Sequence, residues 1–435
     1  MNCTLQKSLR EEFLRLAKRL PVAILGNGTS AKGIQKLLEK LGLQSISYDQ
    51  DSRKGELLDA QKVNRHNIFI GSPSFLSHHP WVRLVYGEKK WYLPELDFAS
   101  LWCEATLIAI TGTNGKTTTT SFLTDVFNHS DRRAFSAGNI GRPLSELIAT
   151  ENLGKDSLIF CETSSFQAEN LNFFTPECLI WTNFASNHLD HHPTLGDYFG
   201  AKYRLVRRLL AENKDCSDRL FCGESVAFWA KYFHLSLPEE THYPVPQKDL
   251  KGTSFGEYPQ RENYAIIEDF CSNYGISADI IFGEATHFQR PKYRLENMGV
   301  IGNNSYWNDS KCTNFAALEA ALNNFPEGRV IWIGGGRSKG ENLGEIVDIL
   351  REKVEQAVLI GETGVPLEFI LSRQKISAVY EQTIENAIDY IKRACFFQKN
   401  IVFSPAFSSF DQFSSYEERG NFFEKCIFSL KYLHG

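Results

Sequence analysis

The sequence predicts an α/β protein of about three domains with largely parallel sheets. Short apolar runs of strand type alternate with helical patterns from one end of the chain to the other, which is typical of strand–helix–strand units. The 435 residues favour more than one domain, since domains usually hold about 150 residues. Apolar residues make up 42% and charged residues 23%, so the chain is neither disordered nor fibrous.

Charge and cysteine usage exclude several classes of function. The 47 basic and 52 acidic residues give a net charge of −5, which argues against a nucleic-acid or membrane-surface binder but permits local phosphate sites. The 10 cysteines form no CxxC pair and no zinc spacing, which favours reduced thiols. Neither a signal peptide nor an apolar stretch of about 18 residues is present. We therefore expect a cytoplasmic protein with small-molecule partners, without nucleic acid or membrane.

Two breaks in the pattern divide the chain into domains at 1–103, 104–290 and 291–435. The periodicity loosens over 92–103, and a polar, proline-bearing segment at 286–294 is typical of a linker. In the second and third domains, strands are predicted at 107–110, 158–161, 178–182, 329–333, 357–360 and 401–403, and a helix is predicted over Asn314–Phe325.

The first domain opens with a predicted β-α-β unit. A strand at 21–25 runs into a turn with Gly26 and Gly28, an amphipathic stretch covers 34–41, and a second strand ends at Asp49. The turn and the distant acid are compatible with a nicotinamide site or with a nucleotide-diphosphate site. A plain tight turn is the third interpretation.

A phosphate loop is the sharpest signal in the chain. The apolar run at 107–110 leads into the sequence TGTNGKT at 111–117, and a helical pattern follows. In such a turn the backbone N–H groups cradle polyphosphate, Lys116 adds a charge at the β- and γ-phosphates, and the Thr117 hydroxyl can ligate Mg²⁺. Ile110 stands where the ordinary motif has its leading glycine. The alternative is a glycine turn with a solvated lysine.

Acidic and histidine side chains follow two later strands. Glu162 comes directly after the strand at 158–161, and the carboxyl end of a parallel strand is the usual place for a site, so Glu162 is a candidate Mg²⁺ ligand. The next strand is followed by a loop that carries His188, Asp190, His191 and His192. These four residues indicate either a metal site or a solvated polar loop.

Six motifs distributed over nearly the whole chain resemble those of the Mur ligases. They are TGTNGKTT at 111–118, GNIG at 138–141, ETSSFQ at 162–167, NHLDHH at 187–192, NDSKCTN at 308–314 and SPAFSSFDQF at 404–413. The phosphate loop is shared with folylpolyglutamate synthases. The SSFQ and SPAFSSFDQF segments resemble the family member that handles D-glutamate.

The resemblance implies a fold and a reaction. The fold would comprise an N-terminal Rossmann-like UDP-binding domain, a central P-loop ATPase domain with a mainly parallel sheet, and a C-terminal Rossmann-like domain for the incoming amino acid. ATP would phosphorylate the carboxylate of UDP-N-acetylmuramoyl-L-alanine, and the amine of D-glutamate would attack the acyl phosphate, as a step of cytoplasmic peptidoglycan precursor synthesis. The resemblance also implies that the protein is a monomer.

The resemblance also implies a role for each matched residue. Lys116, His188 and Lys202 would be catalytic, and two Mg²⁺ ions would be held by Thr117, Glu162, His188 and a carbamylated Lys202. The residues matching ATP contacts are Gly112, Thr113, Asn114, Gly115, Lys116, Thr117, Thr118, Asn263, Arg294 and Asp309. Those matching UDP or muramoyl contacts are Thr29, Ser30, Asp49, Asn139 and Ser164, and those matching the D-glutamate pocket are Thr313, Lys339, Ser409, Phe410 and Tyr416.

Other interpretations of the residues stay open. Lys202 on its own is typical of a surface helix, and Tyr416 of core packing. The chain as a whole could be another Mur-type or folylpolyglutamate-type ligase, a P-loop NTPase switch that ligates nothing, or a nicotinamide dehydrogenase built on the turn at Gly26.

Overall fold

The computed structural model describes residues 3–189, 191–212, 218–256, 260–289 and 291–434. The described residues form three sheets flanked by helices, and the predicted α/β class is confirmed. Within the described residues, no helix combines the length and apolar character needed to cross a bilayer.

The chain forms two compact units. The first contains residues 1–184, 199–255 and 260–288, and the second contains 185–198, 256–259 and 289–435. The boundary predicted near residue 103 falls inside the first unit, between two of its sheets. The three-domain division therefore stays a prediction.

The first sheet has four parallel strands in the order β2-β1-β3-β4. Its elements in chain order are α1 (Cys3–Ala17), β1 (Val22–Leu25), α2 (Thr29–Lys40), β2 (Ser45–Tyr48), α3 (Ala60–Val63), β3 (Ile68–Gly71), α4 (Pro80–Gly87), β4 (Trp91–Pro94) and α5 (Glu95–Trp102). The predicted β-α-β unit corresponds to β1, α2 and β2. The strand β1 is buried throughout, as expected for a parallel strand covered on both faces.

The second sheet has five parallel strands in the order β6-β7-β5-β8-β9. Its elements are β5 (Thr106–Thr111), α6 (Lys116–His129), β6 (Arg133–Gly138), α7 (Leu144–Thr150), β7 (Ser157–Glu162), α8 (Ser165–Ala168), β8 (Cys178–Trp181), α9 (Leu195–Glu212), β9 (Leu220–Cys222), α10 (Glu224–Tyr232), α11 (Gln260–Asn273) and α12 (Ala278–His287). The helices α6, α11 and α12 contribute to an apolar core on this sheet.

The third sheet has six strands in the order β10-β11-β15-β12-β13-β14 and is parallel except for the β10–β11 pair. Its elements are β10 (Glu296–Ile301), β11 (Asn304–Asn308), α13 (Phe315–Leu322), β12 (Val330–Gly335), a 3₁₀ turn (Leu343–Glu345), α14 (Ile346–Leu350), β13 (Val354–Ile360), α15 (Gly364–Arg373), β14 (Ala378–Gln382), α16 (Ile384–Ala394), β15 (Asn400–Phe403) and α17 (Tyr416–His434). Two separate apolar clusters include residues of this sheet.

The structure corrects three local predictions. The segment 92–103 is regular, with the end of β4 and all of α5; Glu95–Leu101 are all buried, so the helix shows no amphipathic period. The first two residues of the predicted linker 286–294 belong to α12. The helix predicted over Asn314–Phe325 is shorter, because Asn314 is its N-cap and Phe325 follows its end.

A buried acid of α5 joins the first two sheets of the first unit. Asp97 accepts the backbone N–H groups of Asn172, Phe173 and Phe174 at 2.8, 3.0 and 2.7 Å. Burial raises the pKa of this carboxyl group, and the three N–H donors act in the opposite direction. Arg208 of α9 donates to the Phe174 carbonyl at 3.3 Å. The loop at 172–174 is thereby held through its backbone N–H groups and through the carbonyl group of Phe174.

Candidate active site

The carboxyl ends of three neighbouring strands place the phosphate loop, Glu162 and the start of the histidine loop at one edge of the second sheet. The central strand β5 pairs with β7 on one side, where Ile110 lies opposite Glu162, and with β8 on the other, where Thr111 lies opposite Trp181. Ligands of open parallel sheets bind at such an edge. The strand-end position predicted for Glu162 is confirmed.

Glycines make the tight turn of the phosphate loop possible. Gly112 has φ +148° and Gly115 has φ +83°, both in the region that side chains rarely adopt. A Cβ atom on Gly112 would lie 2.0 Å from the Thr182 hydroxyl, and one on Gly115 would lie 2.3 Å from the Asn263 amide nitrogen. The helix α6 then begins at Lys116 without a side-chain cap, so its N-terminus favours an anion.

Residues after β8, which the sequence analysis did not single out, support the loop. Asn183 accepts the Asn114 N–H at 2.9 Å and donates to the Asn114 carbonyl at 3.1 Å. The Thr182 hydroxyl donates to the same carbonyl at 2.6 Å. These three bonds satisfy both backbone groups of Asn114 and so fix the loop at this residue.

Polar groups of the predicted nucleotide site converge on this loop. The Lys116 ammonium donates to the carbonyls of Gly112 at 2.8 Å and Thr113 at 2.9 Å. Among the described residues, the buried Thr118 hydroxyl has no hydrogen-bond partner, and the same is true of the Asn263 amide oxygen. Unsatisfied buried polar atoms are costly, and they mark places where a ligand can supply the missing partner.

Glu162 connects a predicted metal ligand to a predicted substrate contact. One of its carboxylate oxygens accepts the Thr117 hydroxyl at 2.9 Å, and the other accepts the Asn139 amide at 2.9 Å. The side chain is 2% exposed. A hydroxyl and a carboxylate at hydrogen-bond distance form an oxygen donor set of the kind that Mg²⁺ prefers.

Lys202 lies in the interior beside the phosphate loop and not on the surface. It is 1% exposed, and its ammonium nitrogen lies 3.0 Å from the Gly112 carbonyl and 3.3 Å from the Thr111 hydroxyl. Burial holds its pKa well below the usual range; the positive charge of Lys116 lowers it further, and the negative charge of Glu162 opposes the shift. Burial favours the neutral amine, which is the nucleophilic form of a lysine.

The residues predicted to bind metal are divided between the two units. His188 belongs to the second unit, whereas Thr117, Glu162 and Lys202 belong to the first. The backbone of His188 is left-handed at φ +57°, and its N–H donates to the Asn187 side chain at 2.9 Å. Asp190 lies outside the described residues. The metal role of His188 stays a prediction.

Two of the predicted ATP contacts in the second unit lie close together. The Asp309 carboxylate accepts the Leu295 N–H at 3.0 Å and the Ser404 hydroxyl at 2.7 Å. Arg294 precedes Leu295 and follows Tyr293, and both neighbours have positive φ values, +51° and +64°. Such strained residues cluster at functional sites.

Lys339 and Thr313 meet in the predicted amino-acid pocket. Lys339 is largely buried, and its ammonium donates to the Thr313 carbonyl at 2.9 Å. Ser409 is buried and Phe410 is 61% exposed. The Tyr416 ring lies 4.8 Å from the Lys311 ammonium, which is a cation–π distance and differs from plain core packing.

A buried arginine that the sequence analysis missed bonds two segments close in sequence to these residues. The Arg419 guanidinium donates to the Ser310 hydroxyl at 3.1 Å, the Ser310 carbonyl at 2.7 Å and the Phe407 carbonyl at 3.0 Å. Burial lowers its pKa to about 10. It therefore joins the segments that carry Thr313 and Ser409.

Some of the predicted UDP and muramoyl contacts lie at a helix start without a side-chain cap, whereas others already make hydrogen bonds within the protein. Thr29 and Ser30 open α2, whose N-cap Gly28 makes no side-chain cap, and the buried Ser72 hydroxyl has no partner among the described residues. Asp49 accepts the N–H of residue 51 at 2.9 Å. Ser164 caps α8 by a reciprocal capping box, so its hydroxyl already has a structural role.

These features define a nucleotide-binding α/β protein of the phosphate-loop class. A family model described as the Mur ligase middle domain matches residues 110–217. UDP-N-acetylmuramoylalanine–D-glutamate ligase of Aquifex aeolicus is 30% identical over 419 residues, which cover 93% of this chain and 97% of the relative. The chain belongs to the Mur ligase family.

Solved structures give the same fold at low sequence identity. A pseudomurein peptide ligase type C from Methanothermus fervidus superposes with a TM-score of 0.60 at 14% identity, covering 95% of this chain and 100% of that chain. The MurF ligase of Thermotoga maritima, solved in complex with ADP, superposes with a TM-score of 0.58 at 14% identity, covering 95% and 97%.

Proposed function

We propose that the protein is an ATP-dependent ligase that joins D-glutamate to UDP-N-acetylmuramoyl-L-alanine through an acyl phosphate, with Mg²⁺ and a carbamylated Lys202. The choice of substrates follows the Aquifex relative, which matches along nearly its full length. The observation that carries the chemistry is the buried Lys202 amine 3.0 Å from the phosphate-loop carbonyl.

The proposed nucleotide site suits ATP. The α6 N-terminus and the glycine turn offer a cradle for phosphates, and Lys116 supplies a positive charge beside it. The Asn263 amide oxygen, next to Gly115, is a buried acceptor without a partner in the described chain, which suits an amino group such as that of adenine.

The proposed metal site draws on oxygen donors. Thr117 and Glu162 would hold one Mg²⁺, and His188 with the Lys202 carbamate would hold a second. Bound Mg²⁺ neutralises the charges of a triphosphate and a carboxylate that must approach each other. CO₂ reacts only with a neutral amine, and the burial of Lys202 favours that form. The amine nitrogen forms a bond to the carbon of CO₂, one C=O π bond of CO₂ opens, the nitrogen releases a proton, and the neutral amine becomes an anionic carbamate.

The reaction proceeds through two displacements. A carboxylate oxygen of the UDP-linked substrate attacks the γ-phosphorus of ATP, and the bond to the β-phosphate oxygen breaks to release ADP. The amine of D-glutamate then attacks the acyl carbon, phosphate leaves with the bridging oxygen, and the nitrogen loses a proton. Lys116 stabilises the transferring phosphoryl group, and Lys339 pairs with a carboxylate of D-glutamate.

A substrate panel tests the proposal. Purified protein with UDP-N-acetylmuramoyl-L-alanine, ATP and Mg²⁺ is offered each of a set of L- and D-amino acids, and phosphate release is measured. We expect release with D-glutamate and background values with L-glutamate. Release without any amino acid would indicate a nucleotide switch, and release with another amino acid would indicate a different Mur-type ligase.

A further inference from the structure

The turn that carries Lys339 is held by a carboxylate two residues further along the chain. One oxygen of Glu341 accepts the Ser338 hydroxyl at 2.7 Å and the backbone N–H of Lys339 at 2.7 Å. The N–H of Gly340, which has φ +87°, donates to the Ser338 hydroxyl at 3.1 Å. The Glu341 carboxylate therefore fixes the turn in two ways, through the backbone N–H of Lys339 and through the hydroxyl of Ser338.

The turn determines where the Lys339 ammonium can reach. The side chain of Lys339 is 8% exposed, and its nitrogen lies 2.9 Å from the Thr313 carbonyl and 3.5 Å from the Asn187 amide oxygen. A cleft of about 340 Å³ opens beside the turn, and Gly340, Glu341 and Phe315 are among the residues that line it. A lysine ammonium whose backbone is held by this turn is a suitable partner for a carboxylate.

We propose that Glu341 is a positioning residue: it fixes the backbone at Lys339 so that the lysine ammonium is placed to bind the carboxylate of the incoming amino acid. A lysine side chain has many rotamers, so its placement depends on a fixed backbone. Hydrogen bonds to a charged acceptor are stronger than neutral ones, and two of them converge on one Glu341 oxygen. The inference rests on the proposed function, because D-glutamate is the ligand that Lys339 is taken to bind.

Steady-state kinetics of three Glu341 variants test this inference. Glu341→Ala removes both bonds, Glu341→Asp shortens the reach by one methylene, and Glu341→Gln keeps a carbonyl oxygen as acceptor. Glu352→Ala is the matched control, since Glu352 is an exposed acid of the same unit and is not among the residues that line the cleft. KM for D-glutamate, KM for ATP, kcat and thermal stability are measured for each protein.

We expect KM for D-glutamate to rise about tenfold or more in Glu341→Ala and Glu341→Asp, which corresponds to about 1.4 kcal/mol. KM for ATP should stay within about twofold of the wild-type value and kcat within about threefold. The reason is that the substitution weakens the binding of D-glutamate equally in the ground state and in the transition state. Glu341→Gln should recover most of the affinity, and Glu352→Ala should resemble the wild type.

If the wild type ligates D-glutamate, either of two results would overturn the role of Glu341 and leave the proposed function standing. One is a D-glutamate KM within about twofold of the wild-type value in both Glu341→Ala and Glu341→Asp. The other is a parallel rise of both KM values with lowered thermal stability, which indicates a general structural role. A wild type without D-glutamate turnover overturns the proposed function, and this inference with it.

Discussion

Replacing Lys202 with alanine tests whether its buried amine becomes an anion. The substitution removes a side chain that is 1% exposed and opens a space beside the Gly112 carbonyl. Alanine keeps the Cβ atom, so the substitution removes three buried methylenes at about 0.8 kcal/mol each, or about 2.4 kcal/mol in all. Removing the buried amine relieves the desolvation that lowers its pKa, so the two effects on stability oppose each other. We expect the variant to fold.

The loss of activity should be far larger than the change in stability. An anion paired with a cation about 4 Å away is worth about 4 kcal/mol at an effective dielectric constant of about 20. This value corresponds to a loss of about 10³ in kcat/KM. The same loss is expected for Lys202→Met, which retains the packing but cannot form a carbamate.

Rescue by small carboxylic acids separates the two variants. Acetate or formate can enter the space left in Lys202→Ala and restore a negative charge, whereas the methionine side chain fills that space. We expect partial rescue of the alanine variant only, since a tethered group has an effective concentration that free acid does not reach. Bicarbonate should raise wild-type activity in CO₂-depleted buffer. Near-normal turnover of Lys202→Ala would refute the reasoning.

Three further substitutions test neighbouring parts of the account. Lys116→Ala should lower kcat about 10²-fold to 10³-fold through lost phosphoryl stabilisation, and a loss below about tenfold in steady-state assays would contradict this role. Glu162→Gln should raise the Mg²⁺ concentration for half-maximal activity about tenfold, because a ligand charge is lost; an unchanged Mg²⁺ titration would remove Glu162 from the metal site. Asp97→Asn turns an NH₂ group toward a backbone N–H and should lower the free energy of unfolding, measured by urea denaturation, by about 2 kcal/mol; a change below about 0.5 kcal/mol would contradict the role of Asp97 in holding the loop at 172–174.

The parts of the site that the sequence predicts are those that local patterns determine. The apolar run of β5, the glycine turn and Lys116 are contiguous in sequence, and Glu162 follows directly on a buried strand. Strand ends meet at one edge of a parallel sheet, so their proximity could be expected without coordinates.

Burial of charged residues was not predictable, because it depends on partners that are distant in sequence. Lys202 lies two residues before Arg204 in a segment that is typical of a solvated helix. In the structure Arg204 and Arg208 bond the loop at 171–175, and Lys202 points to the phosphate loop. Asp97 interrupts the apolar pattern of α5, and its carboxylate accepts three backbone N–H groups that lie more than 70 residues further along the chain.

The residues that hold the loops were missed for the same reason. Asn183 and Thr182 support the phosphate loop through its backbone at Asn114, and Arg419 bonds backbone and hydroxyl groups of Ser310. None of these contacts has a sequence spacing of its own. Only the folded backbone shows which carbonyl or N–H group each side chain meets.

Isotope transfer tests the central claim, which is activation of the substrate carboxylate by ATP. UDP-N-acetylmuramoyl-L-alanine labelled with ¹⁸O in both carboxylate oxygens is incubated with ATP, Mg²⁺ and D-glutamate, and the products are analysed by mass spectrometry. The account predicts one ¹⁸O in each released phosphate and one in the new amide carbonyl, with D-glutamate required for phosphate release. Unlabelled phosphate, released in proportion to the ATP consumed, would contradict it.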